Sequence, residues 1–254
     1  MSNFEKISKI YFSPSGTTEK IVNEIAKNFQ TNMENYDLLS FDENKEFDNE
    51  IVIIGMPVFD GRIPKLARKR LENIKGNNTK AIVVINYGNI DYGNALLELT
   101  ELLKENNFSI VGICAAVSQH SLFNEIGTNR PDVIDLKMIN HFSKEMIKKL
   151  ESGVEDELFV GGKKPYPEYS MLKYDVDCNE DLCVQCMDCA YTCPEEAIPE
   201  ENPQTTNMDD CSRCSTCINI CSQNARSFSG EYYENQKENM ISNFSNRKEA
   251  EFFF

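Results

Sequence analysis

The sequence of 254 residues carries 41 acidic and 26 basic side chains, a net charge of -15, and 41% of its residues are hydrophobic. That length fits one large domain or two unequal ones. The acidic balance excludes nucleic-acid binding, because phosphate backbones need clustered Lys and Arg. The sequence contains neither an apolar run long enough to insert into a membrane nor the pattern of a signal peptide, so a cytoplasmic location is expected.

Residues 1–153 predict one α/β domain, because strand-like and helix-like segments alternate. The strands are short β-branched runs, and the helices carry apolar residues three and four positions apart. In chain order the predicted elements are strand 6–12, helix 17–29, strand 34–41, strand 50–57, helix 63–74, strand 80–88, helix 93–107, strand 108–117 and helix 130–153, which Gly153 closes. This pattern indicates a five-stranded parallel, doubly wound sheet, whose ligands bind outside the carboxyl ends of the strands.

The chain changes character after residue 153. Residues 154–165 contain two Gly, two Lys and a Pro, and they predict a linker. Residues 166–230 are rich in Cys, Asp, Glu, Asn and Pro and lack a long amphipathic helix, so a domain of this size needs a staple besides its apolar core. Residues 231–254 are polar and end in three Phe. They predict a helical or disordered tail whose Phe side chains could dock on the body.

Nine of the ten cysteines fall between Cys178 and Cys221. Disulfides are rare in the cytoplasm, so this clustering indicates metal ligation. The tenth, Cys114, lies in an apolar run typical of a buried, inert thiol. Segments 183–198 and 211–226 both read C-x2-C-x2-C-x3-C, followed by Ala four positions later. Zinc sites usually use spaced pairs of Cys, whereas a compact run of three Cys with a displaced fourth is typical of a 4Fe–4S cluster.

The two segments resemble the bacterial two-cluster ferredoxins, small α+β domains in which the fourth Cys of each run binds the other cluster. The resemblance implies one 4Fe–4S cluster bound by Cys183, Cys186, Cys189 and Cys221, and another bound by Cys211, Cys214, Cys217 and Cys193. The sequence departs from the family at Met187 and Ser215, where Gly is common, and at Ser222, where Pro is common. Cys178 is interpreted as a bystander on the entering strand, with an alternative-ligand role left open.

The loop between the first predicted strand and helix reads "SPSGTT". Its hydroxyls surround a glycine beside free N–H groups at a positive helix end, so it could hold a phosphate without a basic side chain. It matches neither the P-loop nor the dinucleotide-binding glycine pattern. Its S-x-S-G-x-T spacing resembles the FMN phosphate loop of flavodoxins. The resemblance implies that FMN binds here, at Ser13, Ser15, Gly16, Thr17 and Thr18.

Two further loops are expected at the same sheet edge. The loop after the third strand offers Pro57, Val58, Phe59, Asp60 and Gly61, of which the Phe could stack on a flat ring. The loop after the fourth strand offers Asn86, Tyr87, Gly88, Asn89 and Tyr92, where glycine permits close backbone approach to the ring. His120, after the fifth strand, is interpreted either as a flavin neighbour or as a surface histidine.

As a whole, residues 6–230 resemble the fusion family in which a flavodoxin-like FMN domain precedes a ferredoxin domain with two 4Fe–4S clusters. The resemblance implies electron transfer between the clusters, the FMN and a redox partner protein. Residues 166–230 hold twelve Asp or Glu against three Lys or Arg. A net charge of this sign predicts a partner with a basic docking surface.

Two alternatives remain open at this stage. One is a flavin-dependent reductase of a small molecule, fed by the clusters, with Tyr87, Tyr92 or His120 as its only candidate acids. The other is an accessory module that senses redox state through its clusters. A stable complex with a partner that is insensitive to loss of the flavin would indicate the sensing module.

Overall fold

A computed structural model describes residues 6–154, 156–169 and 173–254, so positions 1–5, 155 and 170–172 of the predicted domains lie outside the described residues. The first part of the chain forms β1 (Ile7–Tyr11), α1 (Thr17–Ala26), β2 (Met33–Asp37), β3 (Lys45–Asp48), β4 (Ile51–Pro57), α2 (Lys65–Leu71), β5 (Ile74–Asn77), β6 (Thr79–Tyr87), α3 (Ala95–Glu105), β7 (Phe108–Val117) and α4 (Val133–Ser152). The remainder forms β8 (Asp175–Cys178), α5 (Asp188–Tyr191), α6 (Thr216–Ile220), β9 (Arg226–Ser229), α7 (Glu231–Phe244) and β10 (Glu251–Phe253).

The central sheet has the strand order β10-β7-β6-β4-β1-β2. Strands β2, β1, β4, β6 and β7 run parallel, in the order of a flavodoxin-like doubly wound sheet. β4 is buried along its whole length, as its β-branched run predicts for a strand covered on both faces. Helices α1 and α4 cover one face, and α2 and α3 cover the other. The predicted α/β fold with a doubly wound sheet is therefore confirmed.

The predicted count of five strands is too low. β10 pairs antiparallel with β7, placing Phe252 opposite Cys114, and the Phe252 ring stacks on Phe142 with 5.2 Å between ring centres. The predicted tail 231–254 thus forms a helix and an edge strand. This pairing covers backbone groups that β7 would otherwise expose at the edge of the sheet. A small parallel pair, β3 with β5, was also not predicted.

The long helix α4 has well-defined ends. The Asp132 carboxylate accepts hydrogen bonds from the N–H groups of Ile134 at 2.8 Å and Asp135 at 3.1 Å, and Asp135 reaches back to the Asp132 N–H. This reciprocal capping satisfies N–H groups that have no partner inside the helix. At the other end Gly153 adopts a left-handed φ of 69°, which confirms the predicted glycine stop.

The predicted linker lies on the surface of the first domain. Lys164 forms a salt bridge of 2.7 Å with Glu101 on α3. Just beyond it, the guanidinium of Arg62 lies 3.8 Å from the centre of the Tyr169 ring and donates to the carbonyl of Pro167 at 2.7 Å. These contacts fix the direction in which the chain enters its cysteine-rich part.

The cysteine-rich part contains an antiparallel pair, β8 with β9, and the two short helices α5 and α6. An apolar cluster joins it to the first domain: Phe123, Ile126, Tyr174, Val176, Ala190, Ile198, Cys217 and Phe228. Helix α7 packs against this cluster. The Tyr233 ring stacks on Phe123 with 5.4 Å between ring centres, and its hydroxyl donates to the carbonyl of Leu122 at 2.8 Å. Within the described residues, no helix is both long and apolar enough to cross a membrane.

Candidate functional site

A cavity of about 370 Å³ opens at the carboxyl edge of the parallel strands. We call it the sheet-edge cavity. Nine predicted site residues line it: Ser15, Pro57, Val58, Phe59, Asp60, Gly61, Asn86, Tyr87 and Gly88. The other predicted residues lie outside its lining: Ser13, Gly16, Thr17, Thr18, Asn89 and Tyr92. The three loops chosen from the sequence therefore converge as expected for parallel strands.

The loop after β1 supplies backbone donors rather than all of its hydroxyls. Ser13 is buried and its Oγ accepts from the Glu19 N–H at 3.0 Å, so this side chain caps α1. Thr18 Oγ1 is also buried and accepts from the Asn86 side chain at 3.3 Å. Gly16 takes a left-handed φ of 74° and starts the helix. With the Glu19 N–H occupied by Ser13, the N–H groups of Thr17 and Thr18, which lack carbonyl partners within the helix, remain for an anion.

The loops after β4 and β6 touch each other through glycines. A Cβ added to Gly93 would lie 2.8 Å from the Gly61 Cα, and the Asn94 N–H donates to the Gly61 carbonyl at 2.7 Å. Gly61 and Gly93 both have positive φ, a conformation that disfavours side chains at both positions, and at Gly93 the space for a Cβ is missing as well. The contact holds the two loops together as one wall of the cavity.

Asn86 carries an unsatisfied buried acceptor beside the sheet-edge cavity. The residue is 5% exposed and its Nδ2 donates to Thr18. Among the described residues its Oδ1 has no hydrogen-bond partner. A buried polar atom without a partner is costly. A ligand with an N–H group in the cavity would satisfy it.

Asn89 and Tyr92 bind the C-terminal tail instead of lining the cavity. The Asn89 amide donates to the carbonyls of Phe244 at 2.8 Å and Asn246 at 2.9 Å, and its oxygen accepts from the Lys248 N–H at 3.0 Å. The Tyr92 hydroxyl donates to Glu251 at 2.9 Å. Burial, followed by this bond to a carboxylate, raises the pKa of Tyr92. The tail thereby fixes the outer side of the loop after β6.

A fourth loop, residues 118–123 after β7, supplies six consecutive residues to the lining. The sequence pointed to this loop only through His120. Its Nδ1 accepts from the N–H groups of Leu122 at 3.1 Å and Phe123 at 3.2 Å, so the ring proton lies on Nε2. Burial lowers the pKa of His120 to about 4, which keeps the ring neutral at physiological pH. A Cβ at Gly88 would lie 2.7 Å from the His120 ring, so glycine makes room for it.

Burial also affects the phenol in the cavity wall. Tyr87 is buried, and the loss of solvent raises its pKa to about 12. Its ring meets Tyr92 edge-on at 5.4 Å between centres. The ring therefore presents a neutral aromatic surface to the cavity at all physiological pH values.

The cysteines line two smaller cavities. The second cysteine cavity is lined by Cys193, Cys211, Cys214 and Cys217. The first cysteine cavity is lined by Cys178, Cys183, Cys186, Cys189 and Cys221. Each cavity thus draws its fourth thiol from the opposite run, the grouping that the ferredoxin resemblance implies, and the first adds Cys178. Among the described residues, no three His, Cys, Asp or Glu side chains could hold a single metal ion; in a cubane cluster each Cys binds a different iron, so its ligands need not converge on one point.

The backbone of the two cysteine runs repeats closely. Gln185 and Arg213 both have φ of 55°, and Met187 and Ser215 both have φ of 72°. The Ala197 N–H donates to Cys193 Sγ, and the corresponding Ala225 N–H donates to Cys221 Sγ, each at 3.3 Å. Hydrogen bonds from backbone amides to sulfur stabilise the negative charge of a ligated thiolate. The donor set therefore fits an anionic iron–sulfur group in each cavity.

The second cysteine cavity adjoins the sheet-edge cavity. Arg213, Cys214 and Ser215 line both, and Tyr174 and Met240 complete the far wall of the sheet-edge cavity. Of these wall residues, Cys214 was predicted as a cluster ligand, and the others were not predicted. Their placement depends on contacts between residues far apart in the chain, such as the bond from Arg213 Nε to the Tyr174 carbonyl at 2.7 Å, for which the sequence carries no local signal.

No family model and no curated protein matches the chain. Among solved structures it is similar to the rubredoxin oxygen:oxidoreductase of Desulfovibrio gigas, with 16% identity and a TM-score of 0.41 over 58% of this chain. The chain covers only 36% of that protein. It is also similar to a Fusobacterium nucleatum flavodoxin variant bound to flavin mononucleotide, with 18% identity and a TM-score of 0.41 over 59% of this chain and 99% of that one. It is similar as well to flavodoxin 2 of Bacillus cereus, with 19% identity and a TM-score of 0.43 over 57% of this chain and 99% of that one. The fold assignment rests on the strand order itself.

Proposed function

We propose that the protein is an electron-transfer iron–sulfur flavoprotein that holds FMN in the sheet-edge cavity and a 4Fe–4S cluster in each cysteine cavity. The observation that carries this proposal is the shared wall: one segment, 213–215, separates the second cysteine cavity from the sheet-edge cavity. Electron transfer needs centres held close together at fixed positions, and the protein supplies that positioning.

The residues around the sheet-edge cavity suit FMN in chemistry. The first turn of α1 with Ser15 would take the phosphate. The unsatisfied Asn86 Oδ1 would accept from the N–H on the polar edge of the ring, and the neutral Nε2–H of His120 would donate to a ring oxygen or nitrogen. Phe59, Tyr87 and Phe123 would exclude water from the ring faces. When bound, FMN supplies a centre that exchanges one or two electrons.

The surface around the first cysteine cavity suits a protein partner. Large apolar side chains are exposed there, although most of this chain buries such groups: Leu182, Val184, Tyr191 and Ile220. Acidic residues adjoin them, among them the exposed Asp181 and Asp188. An apolar contact with an acidic rim favours a redox protein with a basic rim around its own centre. Electrons would then enter or leave at the first cluster and reach the flavin through the second.

Anaerobic reconstitution with iron, sulfide and FMN tests the cofactors directly. We expect about eight iron atoms and about one FMN per chain. Stepwise chemical reduction, with flavin absorbance and cluster EPR followed separately, tests the relay. Zinc in place of iron, or no FMN, would contradict the cofactor assignment, and cofactors that never exchange electrons would contradict the relay.

A further inference from the structure

Arg226 is a buried cation that lines the first cysteine cavity. It is 3% exposed. Its Nη1 donates to Thr206 Oγ1 at 2.8 Å, and its Nη2 donates to the carbonyls of Thr205, at 3.1 Å, and Pro203. These neutral partners orient the guanidinium and leave its charge in place. The remaining donor, Nε, has no partner among the described residues.

Most of the ionisable groups that line the cavity with this cation are thiols, those of Cys178, Cys183, Cys186, Cys189 and Cys221. The one carboxylate in the lining, Asp188, is exposed. In the described part of the chain, no Asp or Glu pairs with Arg226. A buried charge without a counter-charge is strongly destabilising. The arrangement therefore calls for an anion in the cavity that Arg226 lines.

Only one of the two copies of the internal repeat has an arginine at this position. Ala225 and Ala197 occupy equivalent positions, and the next residue is Arg226 in one copy and Ile198 in the other. Ile198 is buried in the apolar cluster that joins the two domains. Each cysteine cavity has one arginine in its lining, Arg226 in the first and Arg213 in the second, but only Arg226 is fully buried, where a charge acts more strongly than at a half-exposed position.

We propose that Arg226 is the resident counter-charge of the 4Fe–4S cluster at Cys183, Cys186, Cys189 and Cys221, and that it raises the reduction potential of this cluster above that of the other. The proposal rests on the proposed function. A cubane with four thiolates is an anion, and reduction adds one electron and one more negative charge. A nearby fixed positive charge stabilises the reduced form more than the oxidised form. The first cluster therefore holds an electron more tightly than the second.

The test is an EPR-monitored potentiometric titration of the fully loaded protein, in which each cluster takes one electron from the titrant. Arg226→Gln removes the charge and keeps a side chain that can donate, whereas Arg226→Lys keeps the charge. Lys173→Gln removes one positive charge from an exposed position in the same part of the chain and serves as the control. Iron content is measured for every variant.

In Arg226→Gln we expect the reduced-to-oxidised ratio of one cluster, at a fixed potential, to fall by about tenfold to a hundredfold. The other cluster should change less, since Arg226 lines the first cysteine cavity and not the second. Arg226→Lys should stay near the wild type, and Lys173→Gln should shift neither potential. Loss of iron from Arg226→Gln but not from Arg226→Lys would also support the counter-charge.

Unchanged reduction potentials in Arg226→Gln would overturn the inference, and so would an equal fall in the potentials of both clusters. The same fall in potential, or the same loss of iron, in Arg226→Lys would also overturn it, because packing rather than charge would then explain the effect. A wild-type protein that binds no iron would instead contradict the proposed function. A wild type with its full iron content and no response to Arg226→Gln would contradict only the role of Arg226.

Discussion

The cysteine runs 183–193 and 211–221 share their backbone but not their surroundings. Both place the same positive φ values at equivalent positions and the same N–H to sulfur bonds after the last Cys. The first run carries Val184, which is 64% exposed, and Tyr191, which is 68% exposed. The second run forms the wall of the sheet-edge cavity. A repeated sequence can thus fix the ligand geometry of two sites while their neighbours give each a different task.

The difference follows from a few side chains at equivalent positions. Where the first run has Val184 and Tyr191, the second has Ser212 and Asn219. Gln185 in the first run corresponds to Arg213 in the second, whose guanidinium donates to the carbonyls of Tyr174 and Cys211. These bonds tie the second run to Tyr174, whose ring packs against Phe123 of the first domain. The first run lacks an equivalent anchor in the described residues and stays open to solvent.

The largest effect is expected from removing a Cys that belongs to one run but lines the cavity of the other. Cys193 belongs to the first run in sequence but lines the second cysteine cavity. Cys193→Ser should therefore damage the second cluster and leave the first, reducing iron from about eight to about four atoms per chain. Iron analysis and EPR would measure this. Cys178→Ser is the control and should keep all of its iron; loss of only the first cluster in Cys193→Ser would refute the grouping.

The free energy of unfolding should depend on pH because of His120, which lines the sheet-edge cavity. Its pKa is about 4 in the folded protein and about 6.5 in an unfolded chain. Between these values the unfolded chain binds more protons, so stability falls as pH decreases from about 6.5 to about 4. His120→Asn should lose this component, which amounts to about 3 kcal/mol over the interval. Urea unfolding of both proteins across this pH range would measure it; parallel pH curves would contradict the buried, neutral imidazole.

Removing the bonds between Asn89 and the C-terminal tail should destabilise the protein around the sheet-edge cavity by a smaller amount. Asn89 has a φ of 61°, so Asn89→Gly keeps the backbone conformation and removes the side-chain bonds to Phe244, Asn246 and Lys248. We expect a loss of about 2 kcal/mol in the free energy of unfolding and weaker FMN binding. Denaturant unfolding and fluorescence titration with FMN would measure the two effects. Asn44→Ala, at an exposed position, is the control; unchanged FMN affinity in Asn89→Gly would show that the tail does not support the cavity.

The smallest effect is expected from a substitution in the exposed part of the first cysteine run. Val184→Ser gives the first run the residue found at the equivalent position of the second. Stability should change by less than about 0.5 kcal/mol, while electron exchange with a basic soluble redox protein such as cytochrome c should slow about threefold. Stopped-flow rates at several salt concentrations would measure this. Val154→Ser, at a site 52% exposed, should leave the rate unchanged, and an equal slowing in both variants would exclude a local docking surface.

Local patterns predicted the parts of the fold that depend on local chemistry. Buried β-branched runs such as 50–57 marked the parallel strands, and Gly153 marked the end of α4. Strand β10 was missed because three residues carry too little periodicity, and its stability comes from pairing with β7 across more than a hundred residues of chain. The pair β3 with β5 was missed because each strand has only four residues, too few to show a periodic pattern.

The site shows the same division. The loops of the sheet-edge cavity could be chosen because each follows a predicted strand. Asn89 and Tyr92 were chosen with them, but their partners lie near residues 244–251, at sequence distances that no local pattern reports. The wall formed by Arg213 and Ser215 and the buried charge of Arg226 depend on how the two parts of the chain pack. Residue types alone could not give them.

The lining of the sheet-edge cavity extends along the chain from Pro14 to Met240. A ribosome must therefore synthesise most of the chain, including both cysteine runs, before this cavity can close. Retention of a ligand there would then follow the synthesis of both cysteine runs. A chain truncated before Met240 would lack part of this lining and, under the proposed function, would retain less FMN than the full chain.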